Sequence, residues 1–158
     1  ISRGEQASPV EILKLDGGAT DGMLPEKMGS MPPILSFPAD QDGGESILKR
    51  VFFASRSDAI FDVHFKRYLH DQMTLVMHNW PVDEIFILLE GEVRVTNSAT
   101  GAVHQFRGGD SFIVPLGFEG KWEQLTPLHM MTIEYGKLLS AEEHIEASKS
   151  AVDSEARN

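Results

Sequence analysis

The segments PVDEIFILLEGEVRV (residues 81–95) and GGDSFIVPLGFEGKW (residues 108–122) decide the fold. Residues 85–89 are a continuous apolar run of β-formers, which suits a strand buried on both faces. Gly91 then allows a tight turn, because glycine reaches positive φ without steric cost. Three further short strands follow, separated by polar or glycine-rich turns: residues 92–96, 103–106 and 111–114. This pattern predicts antiparallel β-structure built from hairpins.

The same two segments carry a pair of motifs, E-x6-G at residues 84–91 and G-x5-P-x-G at residues 109–117. In this order and at this spacing, the pair resembles the cupins, which are small jelly-roll barrels. The amino-acid sequence of the two motifs is most similar to that of the branch that includes ureidoglycine aminohydrolase-like and ethanolamine-utilisation cupins. The resemblance spans about residues 73–135 and implies an all-β fold with a single cupin jelly-roll barrel, or double-stranded β-helix.

The resemblance also identifies where a metal would bind. Metal-binding cupins have H-x-H shortly before the glutamate and a further His after the second motif. Here His78 and Glu84 occupy two of those positions, whereas Trp80 and Gly120 occupy the other two. Because a transition metal requires three or four good ligands, we expect no cofactor. A divalent transition metal, if one binds, would use His78 and Glu84.

In metal cupins, the face that carries the H-x-H ligands points into the barrel. The resemblance therefore places Thr74, Val76, His78 and Trp80 in the cavity, and Met73, Leu75 and Met77 outside it. Alternation from the position of Gly120 turns Trp122 and Gln124 inward as well. The candidate ligand-binding residues are Thr74, Val76, Trp80, Phe86, Phe118, Trp122, Gln124 and Tyr135.

His78 and Glu84 are the candidate catalytic residues. A carboxylate in an apolar barrel has a raised pKa, and a neighbouring imidazole would complete a proton-transfer pair near neutral pH. The structural alternative is a buried Glu84 that bonds to His78, Tyr135 or water, in a barrel filled by its aromatic side chains. Nucleophilic catalysis has no support, because the chain has no cysteine and no G-x-S-x-G motif.

Composition narrows the classes of partner. The 158 residues include 14 basic and 24 acidic side chains, for a formal net charge of −10. This acidity argues against nucleic acid and anionic membrane surfaces as partners, and no apolar run is long enough to span a membrane. The lack of cysteine excludes disulfides and thiolate metal sites, and suits a cytoplasmic location.

The chain divides into three parts: an irregular N-terminal arm (residues 1–33), the barrel (residues 34–136), and a C-terminal helix and tail (residues 137–158). A capping box at residues 140–143 marks the start of that helix. Within the barrel, residues 34–37 suit an edge strand and residues 60–68 suit a longer one. In that longer strand, Asp62, His64 and Lys66 share a polar face, so we expect a solvated His64.

Two apolar sets are expected on the outside of the barrel and predict a homodimer. Burial of each such side chain is worth about 1.5–3 kcal/mol, and a soluble monomer rarely exposes so large a patch. Sheet edges and these faces would join the subunits. The sets are Met73, Leu75 and Met77, and Ile85, Ile87 and Leu89.

These features predict a protein that binds a small polar metabolite in its barrel, with a degenerate metal site. The resemblance suggests a ureido or amino compound. One alternative is a hydrolase, isomerase or lyase that uses His78 and Glu84, with or without a metal. A second alternative is a non-catalytic regulatory or scaffold protein, so the sequence leaves enzymatic activity undecided.

Overall fold

The computed structural model describes residues 10–135, which form two antiparallel β-sheets with a shared hydrophobic core. A short 3-10 helix, Ala39–Gly44, interrupts the early strands. The strands are β1 (Glu26–Lys27), β2 (Leu35–Ser36), β3 (Leu48–Phe53), β4 (Phe61–Tyr68), β5 (Met73–Met77), β6 (Glu84–Glu90), β7 (Glu92–Asn97), β8 (Val103–Arg107), β9 (Ser111–Val114), β10 (Gly120–Gln124) and β11 (Leu128–Tyr135).

The six-stranded sheet has the order β1-β3-β4-β11-β6-β9, and the five-stranded sheet has the order β2-β5-β10-β7-β8. Most consecutive strands thus alternate between the sheets, as in a jelly roll. The predicted all-β fold is confirmed, and β1 adds a short strand inside the predicted N-terminal arm. The predicted C-terminal helix lies outside the described residues. Within residues 10–135, no helix is long and apolar enough to cross a membrane.

Gly91 makes the predicted reversal between β6 and β7. Its φ is 102°, and a Cβ there would collide with Pro127 O and come within 2.7 Å of Leu128 Cδ2. Both the backbone conformation and the close approach of residues 127–128 therefore require glycine. This reversal carries the chain from β6 in the six-stranded sheet to β7 in the five-stranded sheet.

Strand β6 faces the core as predicted, whereas strand β5, which precedes it, does not. In β6, Glu84, Phe86 and Leu88 are buried while Ile85 and Leu89 are exposed, which is the predicted orientation. In β5 the prediction is wrong. Met73, Leu75 and Met77 are buried in the core, whereas Thr74, Val76 and His78 lie on the opposite, half-exposed face.

The reversal of β5 has a physical reason. Three large apolar side chains gain more by burial than Thr74 and Val76 would, so the heavier apolar face turns inward. Asn79 then adopts φ 42°, a left-handed conformation that asparagine tolerates better than most residues. This residue breaks the strand alternation, so Trp80 returns to the interior although His78 does not.

Candidate functional site

A cavity of about 130 Å³ lies between the two sheets. The five-stranded sheet lines it with apolar side chains, namely Leu35, Leu75, Met77 and Trp122. The charged lining residues, Lys49, Lys66, Glu84 and Glu134, all come from the six-stranded sheet. The cavity therefore has an apolar wall and a charged wall.

Aromatic rings form much of the interior beside the charged wall. The Trp122 and Phe86 ring centroids are 5.2 Å apart, and Phe86 stacks on Phe112 at the same centroid distance. Trp80 also lines the cavity, so both tryptophans of the chain are found there. Of the candidate ligand-binding residues, the structure places Trp80, Phe86 and Trp122 at the cavity.

The charged wall is centred on two carboxyl groups and one lysine. Glu84 and Glu134 are directly opposed in the β6–β11 register, and Lys66 Nζ lies 3.9 Å from Glu134 Oε1. Burial raises the pKa of Glu84 to about 8; Lys66 opposes this shift, and the charge and hydrogen bond of Glu134 add to it. Glu84 and Glu134 are thus neighbouring carboxyl groups beside an ammonium group.

Lys66 and Tyr68 respond to the same environment. Burial alone would lower the pKa of Lys66, but Glu84, Tyr68 and Glu134 together raise it above its ordinary value. Burial also raises the pKa of the Tyr68 hydroxyl. The ammonium form of Lys66 and the phenol form of Tyr68 are therefore favoured, and both present hydrogen-bond donors to the cavity.

Three buried polar atoms at the cavity residues have no hydrogen-bond partner in the described part of the chain: Trp80 Nε1, Trp122 Nε1 and Glu84 Oε2. An indole N–H can only donate, whereas an ionised carboxylate oxygen can only accept. An unpaired buried group of this kind costs about 1–3 kcal/mol. A guest with both a carbonyl and an N–H would satisfy both kinds of atom.

His78 does not lie with Glu84. Its Nε2 forms a 2.8 Å hydrogen bond with Ser36 Oγ, and its backbone N–H donates to Ile34 O at 2.9 Å. The side chain thus sits on the outer face of β5, beside the edge strand β2. This corrects its predicted position in the lumen, and the proton-transfer pair of His78 and Glu84 is not assembled.

The remaining candidate ligand-binding residues also lie away from the cavity. Gln124 is buried, but its Nε2 donates to His70 O at 2.5 Å. Tyr135 is 70% exposed at the end of β11. Phe118 packs against Gly120, while Thr74 and Val76 face outward on β5 for the reason given above. These five positions correct the predicted lining.

The family's metal positions do not fit an ion. Trp80 offers only an indole N–H, and His78 is directed to Ser36. At Gly120 an added Cβ would collide with Thr96 O and lie 2.5 Å from Phe118 Cζ, so no larger residue fits there. Of these four positions, Glu84 alone places a metal-ligating side chain at the cavity. This corrects the prediction that a metal would be bound by His78 together with Glu84.

Sequence reasoning missed Lys66 and Glu134 in the charged wall, and it misplaced His64. His64 is 6% exposed and is buried together with Glu134, whereas Asp62 is half-buried. Ligand atoms of Asp62, His64 and Glu134 all lie within 4.8 Å of one another. The alternation of Asp62, His64 and Lys66 is a usable signal for this group, but it does not by itself separate the core side from the solvent side.

Comparison with known proteins gives a match to one family. Residues 76–129 match the model of the EutQ-like cupin domain. The match includes Glu84, Gly91 and the second motif. No curated protein matches the chain.

The chain is also similar to several solved structures. A protein of unknown function from Pseudomonas syringae, in the DUF861 family, has a TM-score of 0.53 at 16% identity, with coverage of 76% of this chain and 46% of that one. The putative ethanolamine utilization protein Q of Salmonella typhimurium has a TM-score of 0.48 at 17% identity, with coverage of 72% and 96%. The Clostridium difficile EutQ protein has the same TM-score at 12% identity, with coverage of 60% and 72%.

Proposed function

Since this chain is a cupin, close to the EutQ-like branch, we propose that it binds a small polar molecule in the cavity between its sheets. Binding of small molecules is in keeping with the cupin family. The apolar wall and the rings of Trp80 and Phe86 supply flat apolar contact, and the charged wall supplies a few polar groups. That combination is typical of small-molecule sites.

One observation carries the proposal: unpaired hydrogen-bonding atoms belong to residues that line a confined cavity. Trp80 Nε1 and Trp122 Nε1 can donate, and Glu84 Oε2 can accept. A cavity of about 150 Å³ can hold a molecule the size of benzene, and this one measures about 130 Å³. We therefore propose a ligand of that size with an amide, ureido or amino group.

Intrinsic fluorescence tests this proposal without a label, because both tryptophans of the chain line the cavity. A panel of small ureas, amides, amines and carboxylates should contain compounds that change the emission in a saturable way. At pH 9, where Glu84 with its pKa of about 8 is mostly ionised, Glu84→Gln should weaken their binding by about 10-fold to 100-fold, as expected for a hydrogen bond to a charged group. His78→Gln is the matched control and should bind like the unaltered protein.

Other outcomes would reject the proposal. If no compound in the panel changes the emission or the unfolding temperature, the cavity does not bind these compounds. The alternative of a non-catalytic regulatory or scaffold protein is then favoured. If a compound binds equally well to Glu84→Gln, it does not use the charged wall. Chemical conversion of a bound compound, followed by product analysis, would favour the hydrolase, isomerase or lyase alternative.

We also propose that two copies of the chain associate through the outer face of the six-stranded sheet. Ile133, Ile85 and Ile113 form one cross-strand row on that face. Ile85 is 37% exposed and Ile113 is 62% exposed. Contiguous apolar surface of this kind marks interaction sites, and oligomer formation is in keeping with the cupin family. A homodimer in the cytoplasm remains the prediction.

A further inference from the structure

Three metal-ligating side chains lie together on the inner face of the six-stranded sheet, and one of them, Glu134, also belongs to the charged wall of the cavity. Asp62 and Glu134 are directly opposed in the β4–β11 register, and His64 lies two residues from Asp62 on the same face. Their ligand atoms are mutually within 4.8 Å. Two carboxylates and one imidazole supply the oxygen and nitrogen donors that Mn²⁺, Fe²⁺ and Zn²⁺ accept in proteins.

The strands hold these side chains in place within the sheet. His64 is 6% exposed and Glu134 is 3% exposed, so both are set within the packed sheet. Asp62 is half-buried and lies at the open side of the group. Phe53 packs edge-on against the His64 ring at a centroid distance of 4.5 Å and limits its rotation. Asp62 is therefore the member of the group that solvent reaches in part.

A separate observation points to a ligand here. Thr132 is 0% exposed, and its Oγ1 has no hydrogen-bond partner within residues 10–135. Thr132 lies directly opposite His64 and two residues from Glu134, on the same face of the sheet. Buried polar groups in native proteins are rarely left unpaired. A water molecule bound to a metal in this space would satisfy the Thr132 hydroxyl.

The carboxyl groups that neighbour this group of side chains favour the binding of a cation. Asp62, Glu134 and Glu84 form one cross-strand row of three carboxyl groups. Lys66 supplies an ammonium 3.9 Å from Glu134 Oε1. Buried carboxylates require protons, cations or hydrogen-bond donors, because their transfer from water is costly. A divalent ion next to Glu134 would supply two further positive charges to this row.

We propose that Asp62, His64 and Glu134 bind one divalent transition-metal ion, with water completing its coordination. The site uses none of the positions at which metal cupins carry their ligands. Ligand atoms that share an ion at about 2.1 Å lie at most about 4.2 Å apart, so small side-chain rotations close the observed group around the ion. Mn²⁺, Fe²⁺ and Zn²⁺ fit this donor set.

Metal titration of the full chain tests the site. Protein freed of metal by chelation is titrated with MnCl₂, and free Mn²⁺ is measured by electron paramagnetic resonance; ZnCl₂ is titrated by calorimetry. The unaltered chain should bind one ion, with a rise in unfolding temperature. His64→Gln and Glu134→Gln should each weaken binding by at least about tenfold. His104→Gln removes an exposed histidine on β8 and should have no effect.

Several results would overturn the proposal. These are wild-type affinity in His64→Gln, loss of binding in His78→Gln alone, or no stoichiometric binding of either metal by the unaltered chain. If the buried variants do not fold, judged by circular dichroism, the half-buried Asp62→Asn must show the same loss of affinity. The titrations contain no organic compound, and ligand binding is measured on metal-free protein. Failure of this site and failure of the proposed ligand binding are therefore distinguished.

Discussion

The two walls of the cavity differ in chemistry although each is one face of a β-sheet. The five-stranded sheet presents Leu75, Met77 and Trp122, whereas the six-stranded sheet presents Lys66, Glu84 and Glu134. Burial of apolar surface stabilises the apolar wall, and this contribution does not depend on the orientation of individual groups. The charged wall depends on each group having its partner. Substitutions in the two walls should therefore differ in size and in how they combine.

The largest effect is expected in the apolar wall. Trp122 is 3% exposed and packs against Phe86, so Trp122→Ala should lower the free energy of unfolding by about 3–5 kcal/mol. Denaturant unfolding followed by circular dichroism measures this change. Trp122→Phe keeps an aromatic ring and should lose less. A loss below about 1 kcal/mol for the alanine variant would mean that the wall is loosely packed.

Substitutions in the charged wall should change stability because they leave charged groups without their partners. Lys66→Met leaves Glu84 and Glu134 without their ammonium neighbour and should lower the free energy of unfolding by about 3 kcal/mol. The double variant Lys66→Met with Glu84→Gln removes one carboxyl as well and should recover part of that loss. Glu84→Gln alone completes the double-mutant cycle. A loss in the double variant equal to the sum of the two single losses would show that the two residues are not coupled, and would remove the distinction between the walls.

Substitution of Gly120 tests the close approach of β10 to β7 in the five-stranded sheet. An added Cβ would collide with Thr96 O, a backbone atom that can move only with its strand. Gly120→Ala should therefore cost about 1–3 kcal/mol through overpacking. Lys121→Ala, at the exposed neighbour, is the control and should stay within about 0.5 kcal/mol. Equal stabilities of the two variants, measured by thermal unfolding, would contradict the close contact of β10 with β7.

The smallest effect on the stability of one chain is expected outside both walls. Ile113 is 62% exposed, so Ile113→Lys should change the free energy of unfolding of the monomer by less than about 0.5 kcal/mol. It should nevertheless reduce the mass measured by light scattering from that of a dimer to about 17.5 kDa. Thr74→Lys, on the outer face of the other sheet, should leave the mass unchanged. A single-chain mass for the unaltered protein would reject the dimer.

The strands were predictable from local pattern, and the cupin motifs fixed the fold. The inward direction of Glu84 followed from its motif position, and β6 agrees with it. β5 was inverted because the resemblance placed His78 inside, although Met73, Leu75 and Met77 formed the heavier apolar face. Where the expected ligands are missing, the bulk of each face is the better guide to its direction.

The charged wall was beyond local reasoning for a different reason. Alternation placed Lys66 and His64 on one face correctly, but it does not say whether that face is wet. Only the pairing of β4 with β11 brings Glu134 opposite Asp62, and only β6 adds Glu84 to the row. Such pairings join distant parts of the chain and leave no periodic trace in the sequence.

The left-handed turn at Asn79 has an evolutionary consequence. Because Asn79 breaks the strand alternation, Met77 and Trp80 face the interior while His78 faces β2. A histidine gained at position 80 would therefore stand alone, without His78 beside it. Conversion to the metal centre of other cupins would need several simultaneous changes, since Gly120 has no room for a side chain either. Single substitutions thus offer this chain no gradual route to that chemistry.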